Sequence, residues 1–183
     1  MEATVDTIPT PNENALMFRV QEMLVASGTY DFRSRAQASS SPLARRVFDV
    51  DGVTAVLVAS RFMTVNKEEE VEWPLLVPQI KAAMRDFLDS GDMAVADEDA
   101  PDFRTSDDPL EQKVIALLDE FIRPAVAGHG GDIIYRGMED GYVLVKLIGA
   151  CSSCSSSTAT LFMGVERMLL EELPEVQGVR QVE

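Results

Sequence analysis

The sequence predicts a mixed α/β (α+β) protein of two small domains. Three observations carry the prediction. Short β-branched runs alternate with amphipathic helical patterns, and an acidic, proline-containing stretch without periodicity divides the chain between residues 97 and 108. Beyond it, a helix, a hairpin, a C-x-x-C turn, a helix and a strand follow in order. The 183 residues leave room for one large or two small domains, read as 1–94, an acidic linker 95–107, and 108–183.

In the first domain, residues 1–13 carry Pro9 and Pro11 and read as an extended lead-in. Residues 14–20 form a first strand, and 23–32 weaker strand material with a turn at Gly28. The small polar run 34–41 reads as loop. Ser41 then caps a short helix through Val47 and Phe48, with Pro42 at its first position. Asp51-Gly52 is a turn, and residues 53–59 and 62–65 are β-branched strands. The charged run 67–70 reads as a solvated turn. From Trp73 the apolar residues Leu76, Ile80, Ala83, Met84, Phe87 and Leu88 recur at three and four residues, the buried face of a helix ending at Ser90-Gly91. Trp73, the one tryptophan, is expected to pack rather than to bind a ligand.

The stretch 97–108 joins Asp97, Glu98, Asp99, Asp102, Asp107 and Asp108 with Pro101 and an isolated Phe103. Charge repulsion favours an extended linker there. Asp108 then reads as an N-cap, Pro109 as the first helical residue and Glu111 as the partner in a capping box. Leu110, Val114, Leu117, Leu118, Phe121 and Ile122 form one apolar face, and Pro124 is expected to end or kink the helix. His129-Gly130-Gly131-Asp132 reads as a turn. Residues 133–136 and 142–148 form a hairpin about Glu139-Asp140-Gly141, with Val143, Val145 and Leu147 on one face and Tyr142, Leu144 and Lys146 on the other. Leu161, Val165, Met168, Leu169 and Leu173 mark a last helix stopped by Pro174, and Val179 centres a short final strand.

Composition narrows the function classes. A net charge of −15 opposes nucleic-acid binding, which needs clustered Lys and Arg. No apolar run approaches the roughly 18 residues of a membrane span. The N-terminal residues show neither a signal-peptide core nor an Arg-rich transit pattern, so the cytoplasm is the expected compartment. In a reducing compartment two cysteines point to metal or redox chemistry rather than to a structural disulfide.

Both cysteines, Cys151 and Cys154, lie in the small-residue run Gly149-Ala150-Cys151-Ser152-Ser153-Cys154-Ser155 between a strand and a helix. This order predicts two thiols on an exposed turn, with the unpaired amides of the following helix directed at them. Thiolates are soft ligands that suit zinc, copper(I) and iron–sulfur clusters. A tetrahedral zinc or a cubane cluster takes about four protein ligands. The chain offers two thiols and one histidine, His129. The symmetric solution is a homodimer that pools two thiols from each subunit. A dithiol oxidoreductase and a structural zinc-bridged dimer are the alternatives, although redox motifs of this kind open the first helix of a βαβ unit and this one follows a hairpin.

The blocks Arg123-Pro124-Ala125-Val126, His129-Gly130-Gly131-Asp132-Ile133, and Gly149 to Cys154 through Ser157-Thr158-Ala159-Thr160-Leu161 resemble the C-terminal NifU-like domain, as does the tail Gly164-Val165-Glu166 through Leu173-Pro174-Glu175-Val176. Pro9-Thr10-Pro11-Asn12, Asn14-Ala15-Leu16, Ser41-Pro42-Leu43-Ala44 and Trp73 before Leu76 and Ile80 are similar to the N-terminal domain of Nfu-type proteins. The resemblance implies a non-enzymatic iron–sulfur scaffold or carrier that binds a [4Fe–4S] cluster between two subunits through Cys151 and Cys154. It further implies upstream cluster-assembly machinery as donor and apo iron–sulfur proteins as recipients. Two positions depart from the family pattern. His129 stands where members commonly carry an acidic residue, which raises the question of whether it approaches the cluster, although a polar residue before Gly-Gly reads as part of a turn; Ser155 stands where a proline commonly follows the second cysteine. Loss of that proline is expected to change cluster lability more than ligation.

Overall fold

The computed structural model describes residues 3–26, 28–96, 106–152 and 155–183, with backbone alone for 155–158. The chain divides into two compact units, Met1–Pro101 and Asp102–Glu183. Helices and strands mix in both, as the sequence predicts. No helix among the described residues is long and apolar enough to cross a membrane.

The first unit is an antiparallel five-stranded sheet with two helices. Its strands are β1 (Asp6–Pro9), β2 (Ala15–Arg19), β3 (Tyr30–Phe32), β4 (Val53–Val58) and β5 (Phe62–Lys67), in the order β1-β2-β5-β4-β3. Phe18, Met63 and Val58 lie abreast across β2, β5 and β4, as do Val65 and Val56. These residues share one core with Leu43, Ala44 and Val47 of α1 (Pro42–Phe48) and Leu76, Ile80, Met84 and Phe87 of α2 (Trp73–Ser90). The face predicted for α2 is therefore the buried one, and Gly91 ends the helix with φ +70°. Ser41 caps α1 as expected. Its Oγ accepts from Ala44 N–H at 3.0 Å and donates to the Ala94 carbonyl at 2.5 Å. Trp73 packs on the edge of this core and donates Nε1–H to the Glu13 carbonyl at 2.9 Å.

Several expectations for this unit are corrected. The lead-in contains strand β1, an edge strand that ends on Pro9, where a missing N–H costs no ladder bond. Of residues 23–32 only Tyr30–Phe32 is strand, since Gly28 at φ +82° turns the chain just before it. The polar run 34–41 contains a 3-10 turn, Gln37–Ser40. Ala94 and Val95 also pack in this core. The acidic stretch 97–105 lies outside the described residues.

The second unit is built from α3 (Pro109–Leu117), a π-helical turn (Leu118–Ile122), α4 (Arg123–Gly128), the hairpin β6 (Gly131–Glu139) and β7 (Tyr142–Gly149), α5 (Ser155–Glu172) and β8 (Gly178–Gln181). Strand β8 runs parallel to β7, and α5 supplies the crossover that a parallel pair needs. The hairpin closes through Asp140 and Gly141 alone, both at positive φ as a two-residue turn requires, while Glu139, expected in the turn, pairs with Tyr142 in the ladder. Val143, Val145 and Leu147 face the core with Val165, Leu169 and Leu173. Asp108 caps α3 by accepting from Leu110 and Glu111 N–H. Glu111 does not complete a capping box; its carboxylate accepts the Tyr135 hydroxyl at 2.6 Å, tying α3 to β6.

The helix also runs on through Pro124 to Gly128. Pro124 has no N–H to donate, and the preceding turn widens so that Arg123 N–H reaches back five residues to the Leu118 carbonyl. In a regular α-helix, positions four apart drift by about 40° per step. The wide turn offsets that drift, so Val114, Leu118, Ile122 and Val126 are all buried. Phe121, expected on the apolar face, is 53% exposed as a result.

Candidate metal centre

The region that carries the cysteine motif is fixed from two sides. On one side, α4 ends at His129, whose N–H donates to the Val126 carbonyl at 3.0 Å. Gly130 turns the chain at φ +76° and donates to the Ala127 carbonyl at 3.0 Å. Strand β6 begins at Gly131, two residues earlier than the sequence suggests, so Gly131 and Asp132 belong to the sheet rather than to the turn. Asp132 is buried and takes an ion pair from Arg123, with Nε at 3.2 Å from Oδ1; Arg123 also pairs with Asp119 at 3.0 Å. This Asp119–Arg123–Asp132 chain holds the start of β6 against the helix.

On the other side, β7 ends at Gly149, the register partner of Gly131. A 3-10 turn, Ala150–Ser152, follows. Ala150 N–H donates to the Gly130 carbonyl at 3.2 Å, which stitches the cysteine turn to the glycine turn. Ser152 Oγ donates to the Gly149 carbonyl at 2.8 Å and tightens the bend. Helix α5 then starts at Ser155, and its first amides have no partner within the helix.

Cys151 is held as a thiol on this turn, but it is not exposed. It is 4% exposed and packs in the core of the second unit. The correction has a local cause. The 3-10 turn lays the Cys151 side chain over Gly131, where a Cβ would stand 2.8 Å from Sγ and 2.7 Å from the Ile148 carbonyl oxygen. Gly131 is thus glycine for space, whereas Gly130 is glycine for its backbone angle. Cys154 lies outside the described residues together with Ser153. His129 is exposed on the solvent side of the same turn. Among the described residues no three His, Cys, Asp or Glu side chains converge as a metal site.

The donor chemistry suits a soft metal: a thiol stands on a short turn, over a glycine whose missing Cβ leaves room for its sulfur. Sequence reasoning did not assign Arg123, Asp132 or Gly131 to this arrangement. Their signal was the pair of blocks at 123–126 and 129–133, which the ion pair explains.

Residues 5–91 match the family model described as "Scaffold protein Nfu/NifU N terminal", and residues 114–180 match that described as "NifU-like domain". Among characterised proteins, the chain is 43% identical over 182 residues to "NFU1 iron-sulfur cluster scaffold homolog, mitochondrial" of Homo sapiens, covering 97% of this chain and 71% of that protein. It is 42% identical over 183 residues to the protein of the same name from Drosophila ananassae, of which it spans 64%. A solution NMR structure of a NifU-like protein from Saccharomyces cerevisiae matches at a TM-score of 0.48 and 28% identity, over 52% of this chain and 86% of that one.

Proposed function

The chain belongs to the Nfu/NifU family of iron–sulfur cluster scaffold proteins, and from that premise we propose that it carries a [4Fe–4S] cluster as cargo between two copies of itself. Cys151 and Cys154 of each copy would supply the four thiolates. The observation that carries the reading is Cys151 on a stitched turn between β7 and α5, inside the residues that match the NifU-like domain. Ligand stoichiometry supports the dimer. One chain has two cysteines, and a cubane cluster takes about four protein ligands.

Delivery follows by ligand exchange. A thiolate of an apo-protein bonds to a cluster iron, the iron–sulfur bond to Cys151 or Cys154 breaks, and the released sulfur takes up a proton. No electron is transferred and no substrate is turned over, which makes the protein a carrier and not an enzyme. Upstream assembly machinery supplies the cluster in this scheme. A site open at a subunit interface suits release better than retention. For Cys151 to reach a shared cluster, the turn Ala150–Ser152 has to swing its sulfur outward from the core position described here.

For location, the relatives' names favour the mitochondrion over the cytoplasm expected from the N-terminal residues.

Loading the anaerobic protein with iron and sulfide, then offering it to an apo iron–sulfur enzyme, tests the reading. Cluster uptake with activation of the recipient supports it. Tight zinc with no transfer, or a reversible disulfide that turns over a disulfide substrate without metal, would replace it.

A further inference from the structure

We propose that His129 is a nitrogen donor to the cargo's iron, taking the vertex that Cys151 leaves when its sulfur returns to the core. The inference rests on the cluster-carrying reading above and adds a ligand to it. Three observations meet at one turn. His129 is exposed at the end of α4, and its side chain has no hydrogen bond or ion pair among the described residues. The Gly130 carbonyl accepts Ala150 N–H at 3.2 Å, which fastens this turn to the residue before Cys151. Gly131 lies directly against Cys151 Sγ.

His129 is two residues from Gly131, a chain span of at most about 7 Å. The imidazole and the thiol therefore share a corner of the molecule, one on its wet side and one on its dry side. Neutral imidazole is a common metal ligand and suits iron. Cys151 at 4% exposure cannot keep an iron of a cluster shared between subunits, because that iron would enter an apolar core. As the sulfur turns inward, its bond to iron breaks, the sulfur keeps the electron pair and takes up a proton from the buffered solvent to become the thiol. The imidazole lone pair forms the new iron–nitrogen bond, and no electron changes hands. The iron facing this turn thus keeps a protein ligand while its cysteine is away.

The full chain, with isotope-labelled histidine, is loaded anaerobically with iron and sulfide as wild type, Cys151→Ser, and Cys151→Ser combined with His129→Ala. Cys151→Ala is run alongside, so that a hydroxyl placed in the core does not decide the result. Iron and sulfide per chain are measured, and nitrogen hyperfine coupling is read by pulsed EPR on the reduced cluster. The expected result is partial loading of both Cys151 variants with nitrogen coupling. In the double variant the coupling disappears and retained iron falls by about tenfold or more, the scale on which loss of even a supporting group weakens a metal site. Absence of nitrogen coupling in both single variants, their failure to load at all, or equal iron with and without His129 overturns the proposal. Failure of the wild type to load overturns the cluster reading itself, and that outcome is seen before any variant is compared.

Discussion

Gly131 and Cys151 are packed so closely that a Cβ on residue 131 would stand 2.8 Å from Cys151 Sγ and 2.7 Å from the Ile148 carbonyl oxygen. The sulfur can yield by rotating, whereas the strand backbone cannot. Gly131→Ala should therefore expel the Cys151 side chain from its pocket and destabilise the second unit by about 1–3 kcal/mol, as overpacking does. Denaturant unfolding measures the loss, and the alkylation rate of Cys151 measures the displacement. Unchanged stability together with unchanged alkylation would contradict the packing described.

The Arg123–Asp132 pair makes a second prediction. Asp132 Oδ1 is buried, and Arg123 reaches it with Nε at 3.2 Å while also meeting the Ile133 carbonyl at 3.4 Å. Arg123→Ala leaves the carboxylate without its cation and should cost about 1.5–3 kcal/mol, the range for hydrogen bonds to charged groups. Arg123→Lys should recover part of this, because a lysine keeps the charge but not the planar fork. Chemical unfolding of the three proteins orders them; a lysine variant as stable as wild type would show that geometry plays no part, and one no more stable than alanine that charge alone recovers nothing.

Ser41 provides a control in the first unit. It is fully buried, caps α1 and donates to the Ala94 carbonyl at 2.5 Å. Ser41→Ala removes the cap and strands an acceptor, at a cost of about 1–2 kcal/mol. The iron and sulfide taken up per folded chain should stay at the wild-type level. A fall in loading at full folding would mean that the first unit contributes to the cargo site.

Much of the fold was legible because periodicity reports burial directly. The helix from Trp73, the hairpin about Asp140-Gly141 and the faces of β7 and α5 all follow from apolar spacing. The misses have physical causes that spacing does not carry. Strand β1 has too few residues to show a period and is recognised only through its pairing with β2. Phe121 fits an ideal helical face but is carried into solvent by the π turn before Pro124. Glu111 stands in a capping-box position but has a better donor in Tyr135, which lies 24 residues further along the chain. The site was legible as chemistry and less so as geometry. A C-x-x-C motif between strand and helix names the donors, yet nothing in its spacing says that Cys151 would be folded inward over Gly131.

The central claim is that two chains share one cluster through Cys151 and Cys154, and metal analysis after anaerobic loading tests it most directly. Wild type should hold about one four-iron, four-sulfide cluster per two chains and run as a dimer when loaded. Cys154→Ser should lose most of that iron and sulfide together with the loaded dimer, and Cys151→Ser should load only in part, to the extent that His129 replaces the missing thiolate. Wild-type iron and sulfide in either variant, or a loaded wild-type protein that remains a monomer, would contradict the account.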